Sequence, residues 1–189
     1  MSAPAGVTLR HCNVRQAAAL LDPICRLHDT VFSQPPFHLT DDESQYHRQS
    51  LISTIANPTF AMVTADAGGE LVGYADGVVL KPDTQWWSGT TAPLPDELTA
   101  EWNGRTFAII DLAVREDYRK RGIGRALLDT LLADRQEQRA ALTVQLVAID
   151  TKEFCEHLGW QRVGTIKAPD RAVSPFFDMY LLQLSAVGR

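Results

Sequence analysis

Cysteine is scarce in this chain of 189 residues: Cys12, Cys25 and Cys155 are its only three. The number is odd and no pair has C-x-x-C spacing, so a reduced, intracellular and cytoplasmic protein is the expectation. Long apolar runs are also missing. None approaches the roughly 20 residues of a membrane span, and no membrane partner is expected. The opening MSAPAGVTLRH has no basic segment followed by an apolar core, so no secretory signal is expected. Positive charge is not in excess: Lys and Arg number 18 against 23 Asp and Glu, a formal charge of -5. That balance argues against general nucleic-acid affinity, which needs a broad basic surface, though not against a local basic site. The five histidines are scattered without HxH or HxxxH pairing, so no metal is expected. No G-x-S-x-G elbow is present, and serine hydrolase chemistry has no support.

What is present suits one α/β domain over 1–189, with 45% hydrophobic residues and room for an insertion but hardly for two full domains. A first strand is expected at 7–12. Asp22-Pro23 reads as an N-cap and first helical proline of a helix running to Phe32, before Pro35-Pro36. Thr40 and Glu43 form a capping box for a second helix that carries Leu51, Ile52 and Ile55 inward. Strands at 59–65 and 71–80 are joined by a hairpin turn at Gly68-Gly69. An irregular insertion follows at 82–105, rich in Trp (Trp86, Trp87, Trp102) and acid (Asp83, Asp96, Glu97, Glu101), with a short helix at 98–102. Beyond the central segment come a strand at 141–149, a helix at 150–158 capped by Asp150 with Glu153, an exit at Gly159, and strands at 160–167 and 176–184. The order is that of a mixed sheet of about seven strands and about four helices with one right-handed crossover.

The chain is organised around residues 107–132. FAIIDLAV reads as a strand buried on both faces, and Ile123, Leu127 and Leu131 give the next segment a helical apolar stripe. Between them lies Arg119-Lys120-Arg121, closing on Gly122-Ile123-Gly124. The first amides of a helix have no partners within it and sit at the positive end of its dipole, so a phosphate-bearing ligand is expected here. A P-loop needs GxxxxGK before Ser or Thr, and none is present. A dinucleotide fingerprint needs a third glycine and a tight turn from the strand; here the third glycine is missing and the connector 115–121 is too long.

Residues 119–124 instead match R/Q-x-x-G-x-G/A, with Asp111-Leu112-Ala113-Val114 just upstream. This stretch, and FCEHLGW at 154–160, resemble the GNAT superfamily of acyl-CoA-dependent N-acetyltransferases. The resemblance implies a GNAT-like central mixed sheet flanked by helices, with acetyl-CoA as cosubstrate. It places the CoA pyrophosphate on Arg119, Lys120, Arg121, Gly122, Ile123, Gly124 and Arg125, and the pantetheine arm along Leu112, Ala113 and Val114. An amide of Leu112 or Ala113 would polarise the thioester carbonyl. Asp111, in an apolar strand, is the candidate general base, and burial is expected to raise its pKa. Cys155 stands where many relatives carry a tyrosine that protonates the leaving thiolate; its ordinary pKa of about 8.5 is close to that of the departing thiol. Trp86 and Trp87 are candidate contacts for a cationic acceptor, against the alternative that they cover a sheet edge. The acceptor is expected to be a small-molecule amine. Protein N-termini or lysines remain open, as does a catalytically degenerate CoA-binding sensor. Dimers are common in the family, but nothing in the sequence marks an interface.

Overall fold

The computed structural model describes residues 3–168 and 174–184; the ends of the expected 1–189 domain lie outside them. The elements are β1 (Val7–Cys12), α1 (Val14–Ala19), α2 (Leu21–Phe32), α3 (Asp41–Ile55), β2 (Ala61–Ala67), β3 (Glu70–Val79), α4 (Asp96–Thr99), β4 (Thr106–Val114), α5 (Ile123–Leu132), β5 (Arg139–Gln145), α6 (Ile149–His157), β6 (Gln161–Lys167) and β7 (Phe176–Gln183). The strands form a seven-stranded sheet in the order β1-β2-β3-β4-β5-β7-β6. The fold is thus the expected mixed α/β class, with six α-helices among the described residues where about four were expected. By contacts the chain divides into two compact units, Met1–Val78 with Ile110–Arg135 and Val79–Ile109 with Gln136–Arg189.

In the first unit β1, β2 and β3 are antiparallel, and Gly68 and Gly69 turn the β2–β3 hairpin with φ of +59° and +88°. The capping box of α3 forms as expected: Glu43 N–H donates to Thr40 Oγ1, and Thr40 N–H donates to Glu43 Oε2 at 2.7 Å. A second capping box, Asn13 with Gln16, opens the additional helix α1. Because α1 runs almost directly into α2, the N-cap of α2 is Leu20 and not Asp22, which sits in the first turn. The inward stripe of α3 is His47, Leu51 and Ile55, whereas Ile52 is 50% exposed. The correction follows from the helical period: positions four apart share a face, and Ile52 falls beside it. Ile24, Leu27, Val31, Leu51, Met62 and Tyr74 join Ala113 of β4 in one core. Gly73 of β3 lets the strands approach: a Cβ there would stand 3.1 Å from the Ala113 carbonyl oxygen and 3.2 Å from Leu127.

In the second unit β4 and β5 run parallel over Thr106, Phe107 and Ala108. β7 lies antiparallel between β5 and β6. The β5 strand ends at Gln145, earlier than expected, because Leu146, Val147 and Ile149 turn outward and α6 begins at Ile149. That helix is preceded by Ala148 with no side-chain cap, not by Asp150. Its exit is as expected, with Gly159 at φ +88°. The 82–105 segment is tied down. Thr90 bridges Ile166, Thr91 N–H donates to Thr165 O at 2.9 Å, and Lys167 N–H donates to Gly89 O at 3.0 Å. Glu101, its side chain 1% exposed, accepts from Arg139 at 2.7 Å, Thr106 Oγ1 at 2.8 Å and Trp87 Nε1 at 3.0 Å. Removing one partner of a buried pair leaves the other charge uncompensated, so Glu101→Ala is expected to lower the unfolding free energy by about 3–5 kcal/mol, read by urea denaturation.

Candidate active site

The first unit gathers Asp111, Asp76, His47, His28 and Tyr74 from four elements. Asp111 N–H donates to Asp76 Oδ1 at 3.0 Å. The Asp76 carboxyl is fully buried, and its Oδ2 has no partner among the described residues. Asp111 Oδ2 lies 3.0 Å from His47 Nε2, and the Tyr74 hydroxyl is 3.5 Å from that nitrogen. His28 stacks on His47, with ring centroids 3.4 Å apart and planes within 6°. The other end of the His28 ring is Nδ1, 3.4 Å from Asp29. Sequence reasoning found only Asp111. Both histidines stand on the apolar stripes of their helices: His28 on the α2 face of Ile24 and Val31, and His47 on the α3 face of Leu51. A polar residue on a core stripe is the signal that was there to be read.

The two carboxyls are driven apart. Burial pushes Asp111 up, but the His47 hydrogen bond and the charges of His47 and His28 outweigh it and hold the carboxyl below its ordinary value. This corrects the expectation that burial would raise it. The carboxyl that rises is Asp76, through burial and then the charge of Asp111, so Asp76 keeps its proton while Asp111 is ionised. Burial also pushes His28 down and Tyr74 well up, which keeps the phenol protonated. His28, His47 and Asp111 each bring one ligand-type atom within 4.8 Å of the others, a grouping that histidine spacing did not reveal. Their imidazole planes are parallel, so the in-plane lone pairs run side by side rather than converging as ligation requires.

β4 leads from this cluster into the basic loop. Arg115 N–H donates to Val72 O at 2.9 Å, and Asp111 N–H also turns toward β3. Strand amides alternate between edges, so those of Leu112 and Val114 face the edge away from β3 while that of Ala113 faces β3. Arg119 Nε donates to Val114 O at 3.1 Å, folding the loop back on the strand end. Lys120 and Gly122 have φ of +57° and +81°. The first bond of α5 is Ala126 N–H to Gly122 O at 3.0 Å, so the amides of Ile123, Gly124 and Arg125 have no carbonyl partner among the described residues. Alternating left-handed residues ahead of free amides make an anion nest. Arg121 lies over the Tyr118 ring at 5.0 Å and is exposed, as are Arg119 and Lys120. Arg115 is committed to Asp117 at 2.7 Å and Glu70 at 3.0 Å, and Arg125 pairs with Asp129 at 3.4 Å.

In the second unit Cys155 is 1% exposed, and burial, then the charge of Glu156, pushes its thiol up to about 12. The match to a departing thiol that the ordinary cysteine value offered is therefore absent. The Tyr180 hydroxyl donates to Glu156 at 3.2 Å. Trp87 is 9% exposed with its indole N–H spent on Glu101, and Trp86 packs on the core of Trp87, Ala141, Met179 and Leu181. Both tryptophans fasten the 82–105 segment.

The split carboxyl pair has a consequence for stability. The raised pKa of Asp76 contributes stability that is full below its unfolded value of about 3.9 and is lost as pH rises toward its folded value. The lowered pKa of Asp111 does the reverse, contributing stability above that value that is lost as pH falls. Asp76→Asn keeps the acceptor for Asp111 N–H and removes the first loss. Its stability relative to the parent protein is expected to grow with pH from about 4 upward, by about 1.4 kcal/mol for each pH unit until the folded value is reached. Urea denaturation across pH checks it.

The acetyltransferase (GNAT) family model matches residues 22–160. Among solved structures, the chain is similar to the ribosomal-protein-S18-alanine N-acetyltransferase from Escherichia coli, at 14% identity and TM-score 0.65, covering 97% of each chain. It is similar to aminoglycoside 6'-acetyltransferase type Ii at 17% identity and TM-score 0.65, over 96% of this chain and 99% of that one. It is similar to Ard1 from Thermoplasma volcanium at 14% identity and TM-score 0.63, over 96% and 99%. At these identities the likeness is one of fold. A search of curated proteins finds no match. The match across the greater part of the sequence, over the strand and loop described above, makes the chain a member of the GNAT acetyltransferase family.

Proposed function

We propose that the protein is an N-acetyltransferase that moves an acetyl group from acetyl-CoA to a primary amine by direct attack, with a small molecule as acceptor. The observation that carries this reading is the course of β4. One strand holds an ionised carboxyl at Asp111, turns the next amide, that of Leu112, away from β3, and runs into an anion nest. Arg119, Lys120, Arg121 and the amides of 122–125 would hold the pyrophosphate, with Gly122 and Gly124 allowing close approach. Acetyl-CoA supplies the acetyl group as a thioester. The Leu112 amide would donate to its carbonyl oxygen, and Ala113 and Val114 would flank the pantetheine arm.

The acceptor arrives mostly as an ammonium ion, and Asp111, a weak base at its lowered pKa, would receive the proton that must leave before attack as the first step of a relay to solvent. A groove of about 410 Å³ between α2 and α3 is lined by Asp22, Asp29 and Asp41 and by Arg26 and Arg48, with Arg48 paired to Asp22 at 2.6 Å, so its charge does not by itself select a cationic acceptor. Asp29 links it to His28. The named relatives act on an aminoglycoside in one case and on an alanine of ribosomal protein S18 in another. Their shared fold therefore leaves the choice of acceptor to experiment. The departing thiolate takes its proton from water, and Cys155, with its thiol held at about 12, fills space in α6.

Two outcomes test this. Gly122→Asp puts a side chain into a left-handed backbone position and a negative charge into the nest, and calorimetry with acetyl-CoA is expected to show binding weakened at least about a hundredfold. Unchanged binding would sink the loop assignment. In a thiol-release assay over small amines, peptides and protein N-termini, turnover is expected with a small amine. Cys155→Ala is expected to retain it within about twofold, whereas a tenfold fall would return the thiol to the reaction.

A further inference from the structure

Resting on the proposed role of Asp111, we propose that His47, stacked on His28, is the positioning residue of that base. His47 donates from Nε2 to Asp111 Oδ2 in a fixed tautomer. Asp111 Oδ2 is 3.0 Å from His47 Nε2, and a carboxylate at that distance needs a hydrogen between them. His47 Nδ1 is buried and has no partner among the described residues. A lone pair stranded there costs less than a stranded N–H donor, so Nε2 carries the hydrogen and Nδ1 the lone pair. The ring cannot rotate freely to exchange them, because His28 covers its face at 3.4 Å with planes within 6°.

The ring of His47 is held from its other side too, by groups of three further elements. On α2, next to the stacked His28, Asp29 lies 3.4 Å from His28 Nδ1 and accepts from Ser44 of α3 at 2.7 Å, which ties the two helices together beside the stack. From β3 come Tyr74, 3.5 Å from His47 Nε2, and Asp76, which accepts from the Asp111 amide; from β4 comes Asp111 itself. His47 thus acts on the reaction through Asp111, holding it ionised and aimed, while His28 holds the ring of His47 in place.

The test uses the full-length protein with 15N-labelled imidazoles and 13C-labelled aspartate carboxyls, read by NMR against pH. In the parent protein His47 is expected as the Nε2–H tautomer. The Asp111 titration is expected to move up by at least about one pH unit in His47→Ala, because desolvation then acts without its partner. In His47→Gln, whose amide can donate to the same oxygen, it is expected to stay closer to the parent value. The acid limb of the thiol-release rate should shift in the same order. A merely structural His47 would lower rates without moving that limb. An Nδ1–H tautomer, or an Asp111 titration that ignores His47→Ala, would each overturn the proposal. So would one equivalent of Zn²⁺ displacing the Nε2 hydrogen, which would make the cluster a metal site. The NMR readings need no acceptor. They stand if no amine is turned over, and their failure would leave acetyl transfer untouched.

Discussion

A charged carboxylate inside a strand of an apolar core must have its charge answered nearby, and the first unit is built around that requirement. Asp111 lies between Ile109 and Ala113, 4% and 2% exposed, and its own side chain is 17% exposed. An unanswered carboxylate there would protonate. The answer comes from His47 on α3, and its position depends on the packing of α3 against α2, where His28 covers the ring. Asp76 adds a fixed acceptor for the Asp111 amide and takes the proton that a second buried carboxyl must hold. Core packing and site chemistry are therefore not separable in this unit: the helix stripes that close the core deliver the imidazoles.

The same strand supplies the second constraint. Its amides alternate between edges, and the contacts of Asp111 and Arg115 toward β3 fix the phase. Gly73 lets β3 come close enough for that pairing. The phase selects Leu112 over Ala113 as the amide available to a ligand. Beyond Val114 the chain keeps its loop open by satisfying some arginines internally. Arg115 is held by Asp117 and Glu70, so the exposed cations Arg119, Lys120 and Arg121 are the ones left to meet phosphate.

Much of the fold was legible from local signals. The Thr40–Glu43 capping box, the Gly68-Gly69 hairpin and the apolar stripe of α5 each form where the residue pattern put them. Local signals failed where neighbours decided the outcome. Asp22-Pro23 looked like a helix start, but α1 hands the chain directly to α2. The apolar run at 146–149 looked like strand and is instead an exposed turn into α6. The site was legible along one stretch only. The loop of 119–125 and Asp111 are contiguous in sequence, whereas His28, His47, Tyr74 and Asp76 come from three other elements and carry no spacing motif. Trp87 shows the converse: a conspicuous residue whose indole is spent on Glu101 inside the second unit.

The central claim is that β4 and its loop form an acetyl-CoA site with Asp111 as base. A crystal structure of the protein with CoA or a non-reactive thioether analogue tests it most directly. The account predicts pyrophosphate oxygens within hydrogen-bond distance of the amides of residues 122–125 and the acyl carbonyl on the Leu112 amide, with Asp111 facing the acyl carbon. A ligand bound elsewhere, or a carbonyl oxygen directed at the Ala113 amide or at no amide of β4, would contradict it.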